Sequence, residues 1–261
     1  MNSRRLEILR ALDIDVWQRR DRLPVIVAEP PAVAREAAPT QRMVPHPAVE
    51  VVRAPKVEEV VVADRPPPVL SDLGGMDWDA LTQTVRHCTL CDLHKTRTQA
   101  VFGVGNRTAR WMIIGEAPGA EEDRQGEPFV GRAGQLLNSM LHAIGLARED
   151  VFIANILKSR PPANRDPRPE EVRVCLPYLY RQIELVNPRL ILCVGRIAAQ
   201  NLLNTTETIG RLRGRLHRLA SGRPMIVTYH PAYLLRSPAE KRKSWADLVL
   251  AMQTFESLAG A

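Results

Sequence analysis

The sequence predicts an α/β fold: a three-layer α/β/α domain around a short, mainly parallel central sheet, preceded by a disordered N-terminal arm. Three observations carry this. Four apolar runs of strand length occur, Trp111-Met112-Ile113-Ile114, Val151-Phe152-Ile153-Ala154, Leu190-Ile191-Leu192-Cys193-Val194 and Met225-Ile226-Val227-Thr228. Helical spacing fills the gaps between them, at about 131–145, 168–186 and 195–203, with a last helix at about 239–257. Strands that are apolar on both faces are buried on both faces, as in a parallel sheet covered by helices. Third, composition changes abruptly near Gly74, before which there is no glycine.

Ahead of that change, Leu6, Leu9, Leu12 and Val16 recur at spacings of three and four behind a possible Ser3 N-cap. This predicts an amphipathic helical segment over residues 1–22, with Trp17 extending its apolar side. Residues 23–74 follow as a disordered linker: ten of the chain's 21 prolines lie between Pro24 and Pro68, too many for a helix to persist. Trp78 opens a new helical pattern, and residues 75–261 form the one substantial domain. No internal repeat is present.

Lys and Arg total 36 against 29 Asp and Glu, a net charge of +7 that favours a polyanionic partner. No run reaches the roughly 18 apolar residues of a membrane span. Charges within Leu6-Glu7-Ile8-Leu9-Arg10 interrupt what a signal peptide needs as its apolar core. A soluble, cytoplasmic, monomeric protein without membrane contact is expected. Cys88, Cys91, Cys175 and Cys193 are too few and scattered for a disulfide framework, and a Cys-x-x-Cys pair in a reducing compartment suits a metal or redox site.

Each apolar run ends in a pattern richer than a turn requires. Gly115-Glu116-Ala117-Pro118-Gly119 follows the first, Asn155 closes the second, Gly195 follows the third, and Tyr229-His230-Pro231-Ala232-Tyr233-Leu234-Leu235-Arg236 follows the fourth. Active sites of parallel sheets gather beyond the carboxyl ends of the strands, so these groups are expected in one crevice.

Taken with Gly126-Glu127-Pro128-Phe129-Val130-Gly131-Arg132-Ala133-Gly134, their order resembles the family 4 uracil-DNA glycosylases over about residues 77–257. The resemblance implies a monofunctional enzyme of base-excision repair that hydrolyses the N-glycosidic bond of deoxyuridine in DNA, and a uracil-DNA glycosylase-like fold. Such an enzyme flips the nucleotide into a pocket that reads its edge. In line with the family pattern, Phe129 supplies an aromatic face and the backbone at Ala117 serves polar atoms of the ring. Asn155 donates to one uracil carbonyl and accepts from the ring N–H, a pairing cytosine does not copy. His230 is the donor for the departing oxygen. Glu116 and Glu122 are the candidates for holding water and stabilising the cationic sugar, with Glu122 slightly preferred. Leu234 is the expected wedge into the duplex, and Arg236 a phosphate contact, with Lys241, Arg242 and Lys243 weaker ones.

The family holds a 4Fe-4S cluster on four cysteines. Cys88, Cys91 and Cys175 occupy three of those positions, but the fourth, in Lys158-Ser159-Arg160-Pro161-Pro162, is Ser159. Open outcomes are a cluster with Ser159 or another ligand at one iron, recruitment of Cys193, zinc with His87 or His94, or no metal. The favoured reading is a cluster. Alternative functions are a catalytically decayed DNA-binding or scaffold protein on the same fold, a glycosylase of different base preference, or a uracil-capturing relative that stays covalently bound. The N-terminal helix is a possible contact for a protein partner.

If the arm is decoupled by its linker, a chain lacking residues 1–70 is expected to release uracil from short oligonucleotides at the rate of the full chain. A large loss with the domain still folded would assign the arm to the active site.

Overall fold

The computed structural model describes residues 73–259. The helix expected over residues 1–22 and nearly all of the linker expected over 23–74 lie outside the described residues. Leu73, assigned to the linker, heads a short helical turn and packs into the core at 5% exposure, so the ordered fold starts at least two residues before the expected boundary.

Six strands form one sheet among the described residues: β1 (Val104–Gly105), β2 (Trp111–Gly115), β3 (Val151–Asn155), β4 (Leu190–Val194), β5 (Leu216–Arg218) and β6 (Pro224–Thr228), in the spatial order β1-β3-β2-β4-β6-β5. The four apolar runs are its centre, and they are parallel. Every residue of β2, β3, β4 and β6 is buried. The two edges are short antiparallel strands that the sequence reading did not include. At two and three residues they carry too little alternation to stand out.

Helices cover both faces. Met112, Ile114, Phe152, Ala154, Ile191 and Val227 point to one face. There they meet α1 (Trp78–Arg86), α4 (Pro169–Val186) and α5 (Arg196–Leu202). Trp111, Ile113, Ile153, Leu192 and Ile226 point to the other, against α3 (Arg132–Ala143) and the long α8 (Lys241–Ala259). This is the period-two alternation of a strand, read out as two cores. The short helices α2 (Ala120–Gln125), α6 (Ile209–Leu212) and α7 (Pro231–Arg236) lie outside the long helical patterns. No helix among the described residues is long and apolar enough to cross a membrane.

Local chemistry sets the helix ends. Asp77 accepts from the Ala80 N–H at 2.8 Å and starts α1, and Pro169 opens α4, where its missing N–H is not needed. Asn187, in the left-handed region at φ 52°, ends α4. Leu141 on α3 is fully buried in the second core. Leu141→Ala is expected to lower unfolding free energy by about 2–5 kcal/mol, read from the urea midpoint at constant slope.

Candidate active site

The carboxyl ends of β2, β3 and β6 and the loops after them enclose a cavity of about 430 Å³. Register decides what meets there, because β2 and β3 pair so that Gly115 stands opposite Asn155. A Cβ on Gly115 would lie 2.4 Å from Asn155 Oδ1 and 2.6 Å from Phe129 Cζ, so only glycine lets amide and ring come together. Asn155 is 2% exposed and its Oδ1 has no hydrogen-bond partner among the described residues. A buried acceptor left unpaired is costly, and one that lines a cavity is available to a ligand.

Phe129 is buried with φ 54°, a conformation that a bulky residue holds only when its surroundings impose it. Two groups do so. One Glu122 oxygen accepts from Val130 N at 3.0 Å and Gly131 N at 3.1 Å, while the other accepts from Gly119 N at 3.1 Å. Arg148 donates to the Pro128 and Phe129 carbonyls. The preferred water-holding carboxylate is therefore the clamp that ties the Gly115–Gly119 turn to the Phe129 loop. Three backbone N–H groups occupy its oxygens.

Glu116 and His230 have the electrostatics of reacting groups. Burial, with the Asp166 carboxylate adding and Arg196 opposing, pushes the Glu116 carboxyl up to about 7. His230 starts α7 and lies against Phe129, ring centroids 5.6 Å apart and 30° from parallel. Its Nδ1 accepts from Ala232 N at 3.1 Å, which leaves the ring proton on Nε2. Burial, then the Arg236 cation, pushes the imidazole down to about 4, with Glu122 opposing. The ring is a neutral donor.

The cavity brings together Glu116, Ala117, Glu122, Phe129, Asn155 and His230. Arg236 also lines it and is exposed. Leu234 does not reach it: at 1% exposure it packs between α3 and α8, and the leucine of that turn facing solvent is Leu235, at 37%. One helical residue is about 100° of rotation, and that puts one leucine in the core and the next in water. Sequence reasoning missed Arg148, and also Asn164, Arg165 and Asp166, which form one wall. The signal of the last three was their place in the stretch that joins β3 to α4.

Residues 102–250 match the family described as the uracil DNA glycosylase superfamily. The chain belongs to that superfamily. It is 48% identical over 176 residues to a type-4 uracil-DNA glycosylase of Archaeoglobus fulgidus, a match covering 65% of this chain and 88% of that protein. Type-4 uracil-DNA glycosylases of Pyrobaculum aerophilum and Thermotoga maritima are each 44% identical, over 67% and 61% of this chain and 93% and 83% of theirs. A type-5 uracil-DNA glycosylase of Pyrobaculum aerophilum is 33% identical over 147 residues, half of this chain and 64% of its own length.

In this superfamily member Cys88, Cys91 and Cys175 gather beside the start of α4. Tyr178 Oη donates to Cys88 Sγ at 3.3 Å, and the Lys158 N–H donates to Cys175 Sγ at 3.2 Å. Burial pushes the Cys175 thiol up to about 12, Cys88 and Cys91 add to the rise, and Lys158 opposes it. Ser159, the next residue along the chain from Lys158, is buried, but Arg97 Nη1 donates to its Oγ at 2.8 Å. The same guanidinium donates to the Arg86 and Cys88 carbonyls. Three thiols thus lie within electrostatic reach of one another, and Ser159 presents a hydroxyl engaged by a cation. Cys193 is fully buried in β4, and its thiol is raised by burial alone, with no other cysteine contributing. His87 and His94 turn Nδ1 to the Gln83 and Cys91 carbonyls, and among the described residues no three His, Cys, Asp or Glu are arranged to hold one metal ion.

His230 is expected to show the Nε2–H tautomer by ¹⁵N NMR and to titrate far below 6.5, near 4. Between those values the unfolded chain binds the proton and the folded one does not, so this histidine lowers stability as pH falls from 6.5 toward 4. A titration midpoint near 6.5 in the folded protein overturns the assignment.

Proposed function

We propose that this protein is a monofunctional uracil-DNA glycosylase of base-excision repair. The observation that carries the reading is the unpartnered, buried Asn155 amide, set against Phe129 with a neutral His230 at the same cavity. A flipped uracil stacked on Phe129 offers its carbonyl and N–H edge to that amide, and the Ala117 backbone serves other polar atoms of the ring. Cytosine presents the reverse order of donor and acceptor, which leaves a buried polar pair unmatched.

As the bond between N1 and C1′ breaks, its electron pair stays with uracil and charge grows on the ring oxygen. The Nε2–H of His230 donates to that oxygen without giving up its proton, a type of contribution worth about 3–4 kcal/mol. Water adds its oxygen to C1′ and loses a proton. Glu116, rather than Glu122, is the carboxylate that holds this water and takes the proton, because its oxygens are not bound by the backbone and burial raises its basicity. Among the described residues lining the cavity there is no lysine of the kind that cuts the strand through an imine. Leu235 is the wedge, taking the role expected of Leu234, and Arg236 contacts phosphate beside it.

Cys88, Cys91 and Cys175 are the thiolates that would hold a 4Fe-4S cluster, with Ser159 at the fourth position. When bound, the cluster would cross-link the Cys88–Cys91 segment to α4. It takes no part in the cleavage.

Release of free uracil from a labelled oligonucleotide, without strand scission, tests the reading directly. Activity is expected to rise with pH through about 7, as Glu116 ionises. Glu116→Gln should abolish that limb and slow excision by about 10²–10⁴-fold. Asn155→Asp should cut uracil release sharply, since a carboxylate does not donate to the uracil carbonyl; unchanged release would place the base reader elsewhere. For the cluster, anaerobically purified Ser159→Cys should carry more iron per chain than the parent and lose it more slowly in air. Equal iron content in the two preparations counts against Ser159 as the fourth position.

A further inference from the structure

The ladder between β1 and β3 stops before its next step. Val104 pairs with Ile153 and Gly105 with Phe152, so two residues further on the register would set Phe102 against Asn155. Their two carbonyls are instead bridged by side chains. Lys158 Nζ donates to Asn155 O at 2.8 Å and to Gln182 Oε1 at 2.6 Å, while Gln182 Nε2 donates to Phe102 O at 2.9 Å.

Lys158 is 2% exposed and Gln182 fully buried. Both bonds of Lys158 use N–H donors that the amino group has whether or not it is charged. Strand geometry explains why Asn155 needs this partner. Ile156 donates its N–H to Gly115 O, so by alternation the Asn155 carbonyl faces the other flank, where β1 has already ended. A buried carbonyl must be paired, and Lys158 pairs it. The main chain of Lys158 is itself held at both ends, by Val101 N on its carbonyl at 2.8 Å and by Cys175 Sγ on its N–H at 3.2 Å.

We infer that Lys158 is a positioning residue for base recognition: by holding the Asn155 carbonyl it sets the backbone from which the Asn155 amide is aimed into the cavity. A buried lysine with no carboxylate among its hydrogen-bond partners is an expensive way to fill a core. Here it does what an apolar residue of equal volume cannot, because it supplies the donors at a strand end. Through Cys175 on α4, which accepts its main-chain N–H, it also ties the aim of Asn155 to that helix. The inference rests on the proposal that Asn155 reads uracil.

The test uses the full chain and Lys158→Met, which keeps the length of the side chain and removes its donors. Three quantities are measured: inhibition by free uracil, single-turnover release of uracil from duplex DNA, and affinity for the same duplex carrying an abasic site. The abasic product has no base for Asn155 to read. Inhibition by uracil is expected to weaken at least tenfold and release to slow at least tenfold, while abasic-DNA affinity stays within twofold. Gln182→Met removes an equally buried partner but leaves the Lys158 bond to Asn155, and should keep uracil inhibition within threefold of the parent.

If Lys158→Met does not fold, Lys158→Gln is read by the same criteria. Unchanged uracil inhibition in the folded variant overturns the inference, as does a parallel loss of abasic-DNA affinity, which marks a merely structural role. If the parent itself neither releases uracil nor is inhibited by it, the functional proposal falls and the inference falls with it.

Discussion

Strands β2 and β3 run parallel, in a register that sets Gly115 opposite Asn155, and are buried on both faces. Everything at the cavity depends on that pairing. It puts the Gly115–Gly119 turn beside the Asn155 amide, and the missing side chain of Gly115 leaves the gap that Asn155 and Phe129 share. A one-residue slip of β3 would exchange its two faces, send the side chains of each core into the other and take Asn155 away from Gly115, so the hydrophobic cores that hold the fold also hold the site in register.

Around this pair, buried polar groups are served almost entirely by other protein groups. Glu122 gathers three backbone N–H groups, Asp123 takes the Thr98 N–H, and Lys158 and Gln182 close the open ladder. A second network, Arg213 to Asp247 to Thr228, fixes the end of β6 just before His230. Among the described residues that line the cavity, the buried side-chain atom left without a partner is the Asn155 oxygen. A rigid polar frame with an open acceptor at the cavity is the preorganisation that discrimination between bases demands.

The thiol pocket shows how a local substitution is absorbed. Where the family resemblance implies a thiolate, Ser159 accepts a hydrogen bond from Arg97, whose guanidinium also binds carbonyls at the end of α1 and at Cys88. Arg97 therefore makes, by hydrogen bonds, part of the cross-link that a metal centre would make by coordination. The Cys88–Cys91 segment is held against the first core on one side and by this cation on the other.

The sequence by itself determined the four central strands, their parallel direction and the helices between them, because strands buried on both faces must be apolar throughout. It also determined that Glu116, Phe129, Asn155 and His230 belong together, since strand ends in a parallel sheet converge. Only the tertiary structure decided how each one is held. Glu122 and Glu116 look alike in sequence, yet backbone N–H groups occupy one carboxylate and burial raises the basicity of the other. Leu234 and Leu235 are adjacent and identical, and the rotation of α7 against α3 and α8 decides which one meets water. Lys158 read as part of a metal-ligand segment, and its link to Asn155 appears only when α4 packs behind β3. Composition and spacing report periodicity, which is a property of the chain, whereas solvation and hydrogen-bond supply are properties of the neighbours that folding brings.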